Sequence, residues 1–305
     1  ILAETFNNKI LNKRTLINSV SLNSKEVKKN SVFFGVKGQN FDGNKFGIEA
    51  IKNNAILAIT NKKSKNSRNI FIKNPFEKLN KFSSVYRKSL DCNNIAITGS
   101  AGKTSVKDLT GFCLNKLDKT YYSKNSFNNK YGVPLSIINS PQSTKVSVLE
   151  VGMDKKGEID NLSKIIKPNV SVITNVNYAH AKNFKNIKSI ALAKSEIIQN
   201  TKSKGYLVLN ADDSFFELHR KIAFKKNLKV VSFGIKSQKS NVTLKNIHKN
   251  GKYFLINIEL NNLKKNFLIS NNFESSIYNF LGVLAVMSIY FDISKLNKKL
   301  FLNFE

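Results

Sequence analysis

Ala96-Ile97-Thr98-Gly99-Ser100-Ala101-Gly102-Lys103-Thr104-Ser105 decides the fold of this 305-residue chain. It follows a β-type run, Asn94 to Ile97, and opens a helix-compatible segment, Val106 to Leu117. A strand, a glycine turn and a helix start make a phosphate cradle. Glycines let backbone N–H groups approach an anion, and the helix N-terminus adds positive potential. Lys103 would reach terminal phosphates, and Thr104 would offer a hydroxyl to Mg²⁺. The full phosphate-loop pattern carries a glycine where this chain has Ile97, so the match is to a shorter form, G-S-A-G-K-T-S. A plain strand–turn–helix junction with an exposed lysine reads the same residues.

Around that stretch the pattern alternates strand and helix, which signals a parallel sheet wound on both faces. Strands are placed at Ile95–Thr98, Val146–Glu150, Val170–Val176, Tyr206–Leu209 and Val230–Phe233, with helices at Val106–Leu117, Glu158–Ile166 and Ile187–Gln199. In such sheets ligands bind at the carboxyl ends of strands. Gly99, Glu150, Asn175 and Asn210 stand there. After Gly234, residues 242–247, 253–260 and 267–269 alternate apolar and polar, with Asn250-Gly251 as a hairpin turn, so an antiparallel β appendage is expected. Residues 1–88 read as a separate small α/β domain with strands at 31–36 and 55–60, a loop at 61–69 and a helix at 75–90. The expected fold is thus α/β: a small N-terminal domain (1–88), a P-loop, doubly wound, mostly parallel sheet domain (89–300), and at 301–305 the start of a further domain.

Composition narrows the function. The net charge of +30 invites a nucleic-acid reading, but only Arg14, Arg68, Arg87 and Arg220 among the 50 basic residues are arginine. Base-edge recognition favours that planar fork. The lysines are spread along the chain among asparagines, as solvated faces that would attract anionic nucleotides. No apolar run reaches the ~18 residues of a membrane span. The longest, Phe280 to Phe291, reads as a buried helix. No secretory leader is visible, and the chain begins at Ile1, so the true N-terminus is expected to lie upstream. Cys92 and Cys113 read as reduced, small core residues, and three scattered histidines argue against a zinc site.

Several residues could complete a site around the loop. Glu150 ends a strand and would share a Mg²⁺ with Thr104; a solvated strand-end Glu is the alternative. His180 and Lys194 carry little weight singly. Asn125, Asn128 and Asn129 lie in an amide-rich loop suited to a polyhydroxylated or peptide substrate, or merely to a turn.

Taken in order, the runs T-G-S-A-G-K-T-S, N-S-F-N-N-K-Y-G-V-P-L, E-V-G-M-D-K-K-G-E-I, I-T-N-V-N-Y-A-H, A-L-A-K-S-E-I and V-L-N-A-D-D resemble the Mur ligase family. These are the ATP-dependent amide ligases that build the peptide of peptidoglycan, and the likeness is nearest to the D-alanyl-D-alanine-adding branch. The resemblance implies that Gly99, Ser100, Ala101, Gly102, Lys103, Thr104 and Ser105 hold ATP phosphates, with Asn210 and Asn279 near the nucleotide. It implies two Mg²⁺ ions, Thr104 and Glu150 serving one and His180 the other, and a carbamylated lysine at Lys194. Lys103, Lys194 and His180 would be the catalytic residues. Asn23, Ser24, Asn40, Asp42, Gly43 and Asn44 match the UDP-binding part, and Asn125, Asn128 and Asn129 the muramoyl-peptide side.

The implied substrates are UDP-N-acetylmuramoyl-tripeptide and D-alanyl-D-alanine. The implied setting is a cytoplasmic monomer with no membrane span and no nucleic-acid partner. A sister ligase adding the third amino acid and a basic P-loop nucleic-acid binder are the alternatives. The chain departs from the family at Asn23 and Lys25, where Asp and Arg are usual, at Asn44, at Ala101 and at Ser275. The resemblance also implies a third domain, for the amine substrate, beyond residue 305.

Overall fold

The structure, a computed structural model, describes residues 16–38, 41–123, 126–178, 183–270, 276–302 and 304. The chain divides into two compact units: residues 1–90 with 134–141, and residues 91–133 with 142–305.

In the first unit β1 (Ser19–Ser21), β2 (Ser31–Phe34), β3 (Ala55–Thr60) and β4 (Asn69–Phe71) pair side by side, all parallel. Two helices accompany them, α1 (Gly47–Lys52) between β2 and β3 and α2 (Pro75–Ser89) after β4. β2 is buried at every position, as parallel strands covered on both faces are. Val32, Phe34, Leu57 and Ile59 pack with Leu79 and Phe82 of α2. Phe33 and Ala58 pack with Ala50 and Ile51 of α1. α2 starts where it does because Asn74 Oδ1 accepts the Glu77 N–H at 3.1 Å and Pro75 takes the first helical position. β4 falls at the end of the stretch read as a loop. Its three residues are too few to show an alternation.

Residues 134–141 return to this unit, which the linear order does not reveal. Ile138 joins the core of Val20, Phe34 and Leu79. Asn139 meets the middle of β1 with both ends of its amide: Val20 N–H donates to Oδ1 at 2.8 Å and Nδ2 donates to Val20 O at 2.9 Å.

The second unit is built on one nine-stranded sheet. Its strands are β5 (Asn93–Thr98), β6 (Thr120–Tyr122), β7 (Val146–Glu150), β8 (Val170–Ile173), β9 (Tyr206–Asn210), β10 (Lys229–Gly234), β11 (Val242–Asn250), β12 (Tyr253–Leu260) and β13 (Leu263–Ser270). They lie in the order β13-β12-β11-β10-β9-β8-β5-β7-β6. β6 through β11 are parallel, and β11, β12 and β13 are antiparallel. The expected antiparallel strands are present and are joined directly to the parallel sheet. Phe233 and Gly234 of β10 pair in parallel with Val242 and Thr243 of β11, so the hairpins continue the same sheet. Asn241 fixes that junction by accepting from Ser232 N–H at 2.8 Å and Ser232 Oγ at 3.0 Å.

The helices are α3 (Lys103–Asn115), α4 (Gly132–Ile138), α5 (Glu158–Ile166), α6 (Ile187–Asn200), α7 (Phe216–Lys225) and α8 (Ile277–Tyr290). α4 carries the chain from the amide-rich loop to residues 134–141. α8 is apolar on nearly every side and is buried accordingly, sharing a core with α3 and β10. Phe301 meets Phe267 and Phe280 edge-on at 5.5 and 5.0 Å in this core. Cys113 is buried and Cys92 half-buried, both as free thiols, and burial pushes Cys113 up to about 12. No helix among the described residues is long and apolar enough to cross a membrane.

Candidate active site

β5 lies between β7 and β8, and the chain leaves β5 toward one edge of the sheet before returning to fill the other. That reversal opens a crevice at the carboxyl ends of the central strands. The glycine loop occupies it. Gly99 has φ +156° and Gly102 φ +77°. A Cβ on Gly99 would stand 1.8 Å from Thr174 Oγ1, and one on Gly102 would stand 2.5 Å from Asn279 Oδ1. Both positions admit only glycine, and Asn279 lies against the loop. The first helical bond of α3 runs from Val106 N–H to Gly102 O at 2.9 Å. The N–H groups of Lys103, Thr104 and Ser105 precede it and are left without a helical acceptor at the helix end, where an anion could be received.

Lys103 folds its ammonium back over the loop, donating to Gly99 O at 3.0 Å and Ser100 O at 3.2 Å. Burial pushes its pKa down, and Glu150 opposes that shift. Glu150 ends β7 and is buried. Thr104 Oγ1 donates to its Oε2 at 2.8 Å, and Asn128 Nδ2 donates to its Oε1 at 2.8 Å. Two ligands at neighbouring vertices of a Mg²⁺ octahedron, each about 2.1 Å from the ion, stand about 3 Å apart. The Thr104–Glu150 pair has that spacing and the oxygen chemistry the ion prefers, so these residues fit it. No group of three His, Cys, Asp or Glu gathers among the described residues. A site made of one carboxylate, one hydroxyl and phosphate oxygens needs no such group.

Lys194 lies on the buried face of α6, whose start is fixed by a reciprocal bond pair between Asn186 and Ser189. It is 2% exposed. Burial pushes its ammonium down to about 7, Lys103 adds to the shift, and Asp213 opposes it. Such an amine gives up its proton more readily than a solvated lysine, and its neutral form has a lone pair to react with. Behind it His219, also buried, holds Ala191 O with Nε2 at 3.0 Å.

The other expected residues divide. Asn210 caps the turn after β9, accepting from Asp212 N–H at 3.0 Å. Asn129 is a turn residue, accepting from the N–H groups of Tyr131 and Gly132 at 3.0 Å each. Asn128 holds Glu150, donating Nδ2 to its Oε1. Within the first unit Asn23 Oδ1 caps a short turn through Lys25 N–H at 3.0 Å, and Ser24 Oγ donates to Glu49 Oε1 at 2.9 Å. Asp42 accepts from the side chain and N–H of Asn44, which hold its carboxyl below the usual range. A Cβ on Gly43 would press on Val36 O at 2.8 Å. Asn44 is buried and spends its Oδ1 on Asn61 N–H at 2.8 Å. Ser24 and Asn44 therefore hold the framework of their loops. His180, Asn40, Asn125 and Ser275 lie outside the described residues.

The residue pattern marks Asn175 as a strand-end residue but not as a holder of the glycine loop, and does not mark Thr174 or Asn177. Thr174, Asn175 and Asn177, just past β8, bond to Ser100 and Ala101. Lys107 was also unmarked among so many lysines, yet it is fully buried, donating to Ser123 O at 2.6 Å and pairing with Asp108 at 2.9 Å.

Comparison with known proteins agrees with this arrangement. Residues 97–287 match the Mur ligase middle domain. UDP-N-acetylmuramoyl-tripeptide–D-alanyl-D-alanine ligase of Buchnera aphidicola (subsp. Acyrthosiphon pisum) is 32% identical over 275 residues, 87% of this chain and 60% of that protein. MurF from Thermotoga maritima, solved in complex with ADP, superposes with a TM-score of 0.80 at 28% identity, over 91% of this chain and 64% of that one. MurF from Acinetobacter baumannii shares the fold, with a TM-score of 0.84 at 23% identity over 96% of this chain and 65% of that one. The chain spans 50 to 60% of the length of the first curated relatives it matches. With its glycine loop, Glu150 and Lys194 inside the matched region, the chain belongs to the Mur ligase family.

Proposed function

We propose that the protein is an ATP-dependent ligase that joins D-alanyl-D-alanine to UDP-N-acetylmuramoyl-tripeptide. The observation that carries this reading is Thr104 Oγ1 held 2.8 Å from the buried Glu150 carboxylate, beside the glycine loop. Its relatives among the UDP-N-acetylmuramoyl-tripeptide–D-alanyl-D-alanine ligases favour this branch over one that adds a single amino acid. The first unit would bind the UDP moiety through the loops of Asn23, Ser24, Asn40, Asp42, Gly43 and Asn44. The second would bind ATP through residues 99–105, with Asn210 and Asn279 near the nucleoside. Asn125, Asn128 and Asn129 would face the muramoyl peptide. We place the protein in the cytoplasm, as a monomer.

The reaction has two steps. The tripeptide carboxylate attacks the γ-phosphorus of ATP, giving an acyl phosphate and ADP. The amine of the dipeptide then adds to the acyl carbon, and the tetrahedral intermediate expels phosphate. The chain's part is positioning and neutralisation. The N–H groups of Lys103, Thr104 and Ser105 cradle phosphate oxygens, and the Lys103 ammonium moves from the loop carbonyls to a phosphate. Thr104, Glu150, His180 and a carbamylated Lys194 would hold Mg²⁺, which when bound draws charge from the phosphate oxygens. The lowered pKa of Lys194 supports the carbamate: its neutral amine adds to CO₂ and releases a proton.

The test is phosphate release by protein expressed from the complete gene. Release that requires both UDP-N-acetylmuramoyl-tripeptide and D-alanyl-D-alanine is expected. Release with a free amino acid in place of the dipeptide would overturn the substrate assignment, and indifference to the UDP substrate would overturn the reaction.

A further inference from the structure

The glycine loop is held in shape from outside its own sequence. β5 and β8 pair up to Thr98 and Ile173, and Thr174 N–H then bonds to Thr98 O at 2.9 Å. Past that point Gly99 has left the strand, yet pairing goes on. Ser100 N–H donates to Asn175 O at 3.0 Å. The Asn175 amide takes both polar groups of Ala101, accepting its N–H with Oδ1 at 2.9 Å and donating Nδ2 to its carbonyl at 3.2 Å. Thr174 Oγ1 donates to the same carbonyl at 2.6 Å. Ser100 Oγ and Asn177 complete the set, with Ser100 Oγ donating to Asn177 O at 2.9 Å and accepting Asn177 N–H at 2.8 Å.

An amide with one donor edge and one acceptor can stand in for a neighbouring peptide; a carboxylate or a methyl group cannot. The first limb of the loop is thus an extra rung of the sheet, made with a side chain. The rung turns the Ser100 and Ala101 N–H groups toward Asn175. It leaves the N–H groups after Gly102 to face a ligand. The template strand is anchored in turn, because Val176 N–H donates to Asp213 Oδ2 at 2.7 Å.

We infer that Asn175, with Thr174, is a positioning residue for nucleotide binding: it sets the glycine loop in its phosphate-ready form before the nucleotide arrives. A loop ordered in advance loses less freedom on binding. The inference rests on the reading of residues 99–105 as the ATP phosphate site.

The experiment is titration of the chain with MgADP, alongside thermal melting of the nucleotide-free protein. Asn175→Ala is expected to weaken MgADP tenfold or more with the melting midpoint unmoved. Asn175→Asp is expected to weaken it at least as much, since its carboxylate would face the Ala101 carbonyl. Thr174→Val is expected to weaken it two- to fivefold. If Asn175→Ala does not fold, Thr174→Val and Ser100→Ala read the same rung, and unchanged MgADP affinity in both overturns the inference. So does unchanged affinity in folded Asn175→Ala, or a loss of affinity matched by a fall in melting midpoint, which would make the rung merely structural. Failure of the unsubstituted chain to bind MgADP would overturn the nucleotide reading itself.

Discussion

Asn139 in the first unit and Asn175 in the second make the same pair of bonds. Each presents an amide to the N–H and C=O of one residue, Val20 or Ala101, at 2.8 to 3.2 Å. Their surroundings differ. Val20 is a buried strand residue, and Ile138 beside Asn139 is packed into the same core. Asn139 therefore covers the open edge of β1, where an unpaired row of polar groups would otherwise stand. Ala101 is exposed, sits between Gly99 and Gly102, and belongs to no strand. The same chemistry closes a sheet in one place and shapes a ligand loop in the other. What a bond pair does is decided by whether the backbone it holds is already committed to a core.

The sharpest way to break this comparison is Gly99→Ala. Its Cβ would collide with Thr174 Oγ1, so the rung and the loop could not coexist. We expect a loss of about 3 kcal/mol or more of stability and no measurable MgADP binding, by melting and titration. Glu150→Gln comes next. Its amide still packs where the carboxylate did, so melting should change little, but the stimulation of ADP binding by Mg²⁺ should fall at least tenfold. An unchanged Mg²⁺ dependence would remove Glu150 from the metal site. Asn139→Ala should do the reverse of Asn175→Ala. Loss of two net hydrogen bonds, each worth about 0.5–1.5 kcal/mol, should lower stability by about 1–3 kcal/mol in denaturant unfolding and leave MgADP affinity as it was. A nucleotide effect from Asn139→Ala would erase the distinction.

The smallest expected effect is acid sensitivity in the second unit. Burial lowers the pKa of His219. Below the ordinary histidine value near 6.5, the unfolded chain therefore takes up a proton that the folded chain refuses. Stability should fall as pH drops through and below that value, and His219→Gln should flatten the slope. A slope unaltered by the substitution would exclude His219 as its source.

Much of the second unit was legible because its signals are local. The β5 strand, the G-S-A-G-K-T-S turn and α3 follow one another directly, and the alternation of strands and helices announces a parallel sheet. β6, at three residues, is too short for a period to show. α7 follows a polar turn with no strong capping signal; its N-cap side chain makes no cap bond. The joining of β11 to β10 depends on pairing across the 235–241 connection, which apolar alternation does not specify. The same limit applies to the site. Gly99, Lys103, Thr104 and Glu150 declare themselves through residue type and position. Asn175 stands out only as a polar strand-end residue until its amide is seen against Ala101. Ser24 and Asn44 stand in a motif, and their bonds to Glu49 and Asn61 are seen only in the folded loops.

The rung between Ala101 and Asn175 spans 74 residues of sequence. A phosphate motif that reads as ten consecutive letters therefore has no native shape until a distant segment has been made. At synthesis rates of about 5–20 residues per second, roughly 4 to 15 seconds separate the two on a ribosome. During that interval the motif is present but the site is not. A nascent chain halted before β8 would carry every glycine and lysine of the signature and still have nothing to close the loop against.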